Sequence, residues 1–243
     1  MQKVIVSIMA IAFLASCGSN QSEENATEEV AETAPEWVDL FDGTSFDNWH
    51  IYNHPGEPVS GKWTIEDKTL VFNPEGESEW KVNDLVTDKS FENFELMLEW
   101  NIQEGGNSGI FYEVHEDSTL HTPYLSSPEI QVLDDENHPD AKQGKDGNRM
   151  AGSLYDMIPS ASKANPAGEW NEVRMVKKDN HVEIYQNGTL AVEYTERTPE
   201  WDAMVEGSKF KGWEHFGKYS SGLIGLQDHG NVVKFRNIKV KEL

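Results

Sequence analysis

The stretch Phe94-Glu95-Leu96-Met97-Leu98-Glu99-Trp100-Asn101-Ile102 constrains this chain most. Successive side chains of a strand point to opposite faces. Phe94, Leu96, Leu98, Trp100 and Ile102 therefore share one face, and Glu95, Glu99 and Asn101 share the other. A strand with one apolar and one polar face belongs to a sheet that covers a core on one side only. Stretches with a helical period are scarce, and short alternating ones recur along the chain. Asp179-Asn180 lies between strands at residues 172–177 and 181–186, and Asn187-Gly188 between the second of these and residues 189–194. Asn-Gly suits a type I′ hairpin, because both residues tolerate positive φ. Further strands are expected at residues 222–227 and 232–240, the last with a bulge near Arg236-Asn237, where strict alternation fails. Short strands joined by tight turns predict an all-β sandwich of two antiparallel sheets, with helix only in connections.

The N-terminus reads differently. Lys3 precedes an apolar run over residues 4–14 that is too short to span a bilayer as a helix. It ends in Leu14-Ala15-Ser16-Cys17, which resembles the bacterial lipoprotein box. That resemblance implies a signal peptide over residues 1–16, lipidation of Cys17, and a membrane partner reached through that anchor. Cys17 is the single cysteine, so the folded part has no disulfide. Residues 17–36 are acidic, with Glu23, Glu24, Glu28, Glu29 and Glu32, and carry too little apolar surface to order themselves. They read as a flexible tether. Gln21-Ser22-Glu23-Glu24 resembles the acidic surface-export signals of Bacteroidetes lipoproteins, although a plain solvated linker fits equally. The expected location is the cell envelope, at the outer membrane, facing the periplasm or the surface.

Residues 37–243 match the size of one all-β domain, and 8 Trp, 7 Tyr and 10 Phe supply its core. A formal charge of −23 argues against nucleic acid, whose phosphates require Lys and Arg. It also disfavours polyanionic glycans and fits neutral ligands or cations. Two long polar or aromatic loops interrupt the strands. Residues 134–151 hold His138, Pro139, Asp140, Asp146, Gly147 and Arg149. Residues 195–221 hold Trp201, Phe210, Trp213, His215, Phe216 and Tyr219, which either stack on a sugar or plug one end of the sandwich.

The chemistry-bearing stretch is Glu129-Ile130-Gln131-Val132-Leu133-Asp134. Glu129 and Gln131 share a face, and Asp134 joins them only if a bulge adds a residue to the strand. Two carboxyls on one face suit acid/base work on a sugar. A half-buried strand with Ile130 and Val132 in the core is the plainer reading. Asn107, Ser108 and Gly109 form a small-residue bend that would let a ligand approach the backbone, or a structural bulge.

Several motifs occur in one order: Phe41-Asp42-Gly43-Thr44, Gly61-Lys62-Trp63, Gly106-Asn107-Ser108-Gly109-Ile110-Phe111, Glu129 through Asp134, Leu154-Tyr155, Gly168-Glu169-Trp170-Asn171, Asn187-Gly188 and Ile224-Gly225-Leu226-Gln227-Asp228-His229-Gly230. As a set they resemble the 3-keto-disaccharide hydrolase family. The resemblance implies a concanavalin A-like jelly-roll sandwich and a glycosidase acting on 3-keto-glycosides or related disaccharides. A fainter likeness joins Glu129-x-Gln131-x-x-Asp134 to the Glu-x-Asp-x-x-Glu strand of laminarinase-type glycoside hydrolases. Gln131 cannot ionise and Asp134 is a methylene shorter, so ordinary retaining hydrolysis does not suit this trio.

A ketone at carbon 3 acidifies the hydrogen on carbon 2. A base removes it, the glycosidic oxygen on carbon 1 leaves, and water adds back. Glu129 or Asp134 is the expected base and His229 the expected acid. Arg236 would stabilise negative charge if it faces the site, and is otherwise surface decoration. Asn107, Ser108, Gln131, Tyr155, Gln227 and Asp228 are the expected substrate-binding residues. No cofactor is required by any motif. A divalent metal could replace the electrophile, with Glu113, His115, Glu129, Asp134, His138 and His229 as candidate ligands, although none shows a tight ligand spacing. A non-catalytic, lectin-like module that holds a glycan stands beside the enzyme reading, as does a laminin-G-like adhesion domain with calcium on its acidic surface.

Overall fold

The computed structural model describes residues 35–243; Cys17 and the expected signal and tether up to residue 34 lie outside the described residues. The described residues form thirteen strands: β1 (Val38–Asp39), β2 (Trp49–Ile51), β3 (Trp63–Glu66), β4 (Thr69–Phe72), β5 (Leu85–Thr87), β6 (Phe94–Ile102), β7 (Asn107–Val114), β8 (Glu129–Leu133), β9 (Asn171–Lys178), β10 (His181–Gln186), β11 (Thr189–Thr195), β12 (Leu223–Leu226) and β13 (Val233–Glu242). They build two antiparallel sheets. One runs β11-β10-β9-β6-β13-β4-β3 with β1 beside β13, and the other runs β2-β5-β12-β7-β8. This is the two-sheet sandwich expected from alternation.

β6 carries the alternation into space. Phe94, Leu96, Leu98, Trp100 and Ile102 are buried between the sheets with Phe72, Phe235, Ile110, Ile130 and Leu226. On its outer face Glu95 pairs with Arg174 and Lys241, and Glu99 with Arg236. Both hairpins use the expected residues. Asp179 and Asn180 have φ of 50° and 70°, and Asn187 and Gly188 have φ of 51° and 75°. The register of β13 against β6 slips between Arg236 and Lys239, with Asn237 at φ 53°, so the expected bulge is present. The one α-helix among the described residues, α1 (Pro199–Glu206), lies in the long connection after β11; Thr198 caps it by accepting from the Trp201 N–H.

A second bulge shapes the interior. β7 gains one residue against β12 near Glu113, whose φ is 56°. Tyr112 and Glu113 both turn inward as a result. Glu113 meets Lys177 at 2.9 Å and Arg197 at 3.2 Å, and Tyr112 donates to Glu196 at 2.9 Å. A buried carboxylate held by a buried lysine and a half-buried arginine is a structural charge centre, so Glu113 is not available as a metal ligand.

Candidate active site

The site lies on the face of the five-stranded sheet that is turned away from the core. Register fixes its floor. Gly109 pairs with Gln131, and the Gln227 N–H donates to the Gly109 carbonyl at 2.9 Å. Gln227, Gly109 and Gln131 therefore form one row across three strands. Glu129 stands one row along, beside Phe111, and Asn107 one row back. Gly109 is required here: a Cβ on it would lie 2.8 Å from both Cγ and Cδ of Glu129, so the glutamate lies across a bare backbone.

Asn107, Glu129, Gln131, Gln227, Tyr155 and His229 border one cavity of about 500 Å³, closed by Tyr124, Leu125, Lys209, Phe210 and Trp213. Three amide oxygens in it are buried and accept nothing: Oδ1 of Asn107, Oε1 of Gln131 and Oε1 of Gln227. Buried acceptors are ordinarily paired, so three facing one cavity fit a ligand rich in hydroxyls. Ser108 points to the other face and donates to the Gln227 carbonyl at 2.9 Å. It braces β12 and does not touch the cavity. The cavity beside β1, of about 370 Å³ and bordered by Val38, Leu40 and Phe91, has no such unpartnered atoms.

The charges in the cavity are perturbed. Burial pushes the Glu129 carboxyl up to about 8, helped by the charges of Asp84 and Asp140 and opposed by Lys209. Burial lowers His229, and His138 lowers it further; the two rings meet edge to face at 6.4 Å. Near neutral pH Glu129 is thus a neutral acid and His229 a neutral imidazole. Asp84, buried opposite the Gln227 end of the row, is also raised to about 8 by burial. Its carboxyl accepts the Asp228 N–H at 3.1 Å and so holds the turn that presents His229.

Besides Ser108, three more expected site residues are elsewhere. β8 pairs with β7 without a slip, so no bulge brings Asp134 to the Glu129 face. Asp134 follows the strand and accepts four hydrogen bonds, from the N–H groups of Gly105, Glu136 and Asn137 and from the Asn137 amide. Burial opposes its ionisation, but these donors outweigh it and hold the carboxyl below its ordinary range. It pins a turn and borders no part of the cavity. Asp228 closes a tight turn by accepting the Gly230 N–H at 3.0 Å. Arg236 lies on the outer face of the other sheet, bonded to Glu99 and 3.8 Å above the Trp170 ring, and cannot reach the sugar.

The candidate metal ligands divide: Glu129 and His229 border the cavity with His138 beside His229, while Glu113, His115 and Asp134 are engaged elsewhere. His115 stacks on Tyr219 at 4.1 Å, and His138 accepts the Asp140 N–H to start the 3-10 turn Pro139–Lys142. Among the described residues, the cluster with ligand spacing is His181, Glu183 and Glu193, on the outer face of β10 and β11.

The long loops make the walls. Trp201, Phe210 and Phe216 stack in the interior, and Phe210 also borders the cavity with Trp213 and Tyr124, whose rings are 6.1 Å apart. Within the aromatic loop, Trp201 and Phe216 fill the interior and Trp213 borders the cavity. Arg149 bonds Asp156 at 2.6 Å and Asp140 at 3.0 Å, and Tyr155 donates to Asp140 at 2.8 Å. Lys209 and Tyr124 had no signal in the sequence, because each reaches the cavity from a connection whose path alternation does not report.

Comparison with known proteins agrees with this architecture. The model of the 3-keto-α-glucoside-1,2-lyase-like domain matches residues 36–241. A Bacteroides thetaiotaomicron protein named 3-keto-disaccharide hydrolase is 38% identical, with 97% of this chain and 96% of that one covered. A crystal structure of a candidate glycosyl hydrolase from Parabacteroides distasonis superposes with a TM-score of 0.75 at 31% identity, covering 85% of this chain and 94% of that one. A Bacillus subtilis protein with a galectin-like fold superposes at 0.54 with 12% identity, over 87% of this chain and 97% of its own, a likeness of fold alone. With the family model spanning nearly every described residue, this chain belongs to the 3-keto-α-glucoside-1,2-lyase-like family.

Proposed function

We propose that this protein is a cell-envelope enzyme that cleaves 3-keto-glycosides or related disaccharides by acid/base chemistry between His229 and Glu129. The observation that carries the reading is one cavity holding a neutral carboxylic acid, a neutral imidazole and three unpartnered amide oxygens. Two groups pushed apart in this way divide the labour. His229 takes the proton from carbon 2, and the C–H electrons form the enolate with the carbon-3 carbonyl. The enolate collapses, the bond from carbon 1 to the glycosidic oxygen breaks, and Glu129 protonates that oxygen. Water then attacks carbon 1 of the resulting enone with ionised Glu129 as base, and imidazolium His229 returns a proton to carbon 2. The net change is hydrolysis. These roles exchange those expected from the sequence, because a neutral imidazole is a base and a protonated carboxyl an acid.

Asn107, Gln131 and Gln227 accept from sugar hydroxyls in this reading, and Trp213 and Tyr124 flank a pyranose ring. Purified protein incubated with a 3-keto-glucoside should release aglycone, and His229→Ala and Glu129→Gln should not. Tight binding of keto and parent sugars with cleavage of neither would instead support a lectin. We further propose anchorage through a lipid on Cys17, supported by the Leu14-Ala15-Ser16-Cys17 box. Cys17→Ser should then leave the membrane fraction; a variant that still carries lipid would overturn it.

A further inference from the structure

Cleavage through an enolate places a full negative charge on the oxygen at carbon 3. Glu129 and His229 are occupied with protons, and Arg236 is on the wrong sheet. We propose that Lys209 binds the carbon-3 oxygen of the oxidised sugar and holds the charge that this oxygen gains when the carbon-2 proton leaves. The proposal rests on the reaction described above.

Among the described residues, Lys209 is the one Lys or Arg bordering the cavity. Its Nζ lies 4.4 Å from the centre of the Tyr155 ring and 5.4 Å from that of Phe210. Its base is fixed: the Lys209 N–H donates to Asp156 at 2.7 Å. The carboxylates that could quench it are already engaged. Asp156 accepts from Arg149, and Asp140 from Arg149 and Tyr155. The ammonium therefore faces the cavity backed by aromatic rings and in no ion pair among the described residues. Lys209 as a residue stays exposed at the rim of the cavity. A cation over aromatic faces, partly out of water, gains more from a charge that develops beside it than from one already hydrated. The hydroxyl of an unoxidised sugar develops no charge there, so this residue would make the pocket selective for the ketone.

The test compares wild type with Lys209→Met, Lys209→Gln and Lys209→Arg on a 3-keto-glucoside, with thermal unfolding to verify the fold. Loss of the charge should lower kcat by a factor on the order of 10²–10³, with KM changed much less, and Arg should restore part of it. The alkaline limb of kcat/KM should move upward in the Met variant, because a cation near Glu129 is gone; Arg149, Asp140, Asp156, Asp84 and His138 stay in place around the site. A Met variant within threefold of a wild type that does cleave the keto sugar would overturn the role of Lys209 alone. Borohydride reduction during turnover that leaves sugar mass on Lys209 would overturn it in favour of an imine. A wild type inert on the keto sugar would remove the underlying reaction as well.

Discussion

Glu129 works against the fold that holds it. Its carboxyl ionises near 4.5 when exposed and near 8 in the cavity. Between those values the folded state binds more protons than the unfolded one, so its contribution to stability falls as pH rises from about 4.5 to 8. Glu129→Gln removes that penalty and keeps the shape. The variant should therefore unfold at a higher temperature than wild type at pH 8, with turnover lower by a factor on the order of 10²–10⁴. Parallel unfolding curves at pH 4 and pH 8 check this, since the gain should vanish at the acid value. The pH profile follows from the same pair. The proposed reaction needs neutral His229 and protonated Glu129, so kcat/KM should fall on the acid side below 6.5, the imidazole's ordinary value, and on the alkaline side near 8. A profile that rises steadily through pH 9 would return Glu129 to the role of base.

At the scale of strands and turns, the sequence disclosed what alternation can carry. The faces of β6, both hairpins and the β13 bulge were legible, because apolar periodicity and positive-φ residues are local signals. The placement of Asn107, Glu129 and Gln131 was legible for the same reason. Asp134 was misjudged because residue spacing does not distinguish a bulge from a turn that follows a strand; the donors that decide it come from Gly105 and from Glu136 and Asn137. Lys209 was invisible because a long connection that includes α1 brings it to the cavity. Two substitutions separate these roles. Asp134→Ala removes the acceptor of four hydrogen bonds and should destabilise by about 1–3 kcal/mol, with turnover within a few-fold of wild type. Because the depressed carboxyl stabilises the fold only while ionised, that loss should shrink as pH falls below about 3.9. Gly109→Ala should do the opposite, displacing the Glu129 side chain and costing turnover while the unfolding midpoint changes little. Equal activity in Gly109→Ala and wild type would show that Glu129 does not need its place over β7.

Across the whole molecule the two sheets divide their tasks. The outer face of the larger sheet is tied by ion pairs such as Glu95 with Arg174 and Glu99 with Arg236. The outer face of the smaller one carries the cavity, and the loops of residues 134–158 and 195–221 wall it together with Tyr124 and Leu125 from the connection between β7 and β8. In a chain of formal charge −23, one lysine in a pocket of neutral amides is where the proposed reaction would gather negative charge, since an anionic substrate would be repelled on approach. The proposed reaction makes the ketone indispensable. A carbon-2 hydrogen beside an ordinary alcohol is far too weak an acid for an imidazole, and a pocket with one titratable acid above neutrality lacks the ionised nucleophile of a retaining glycosidase. The protein should release aglycone from a 3-keto-glucoside and be nearly inert on its parent. Deuterium at carbon 2 should slow turnover where proton removal limits it, and product formed in deuterated water should carry one deuterium at that carbon. Equal rates on keto and parent sugars, with protium retained at carbon 2, would place bond cleavage through an oxocarbenium ion and remove the need for both His229 and Lys209.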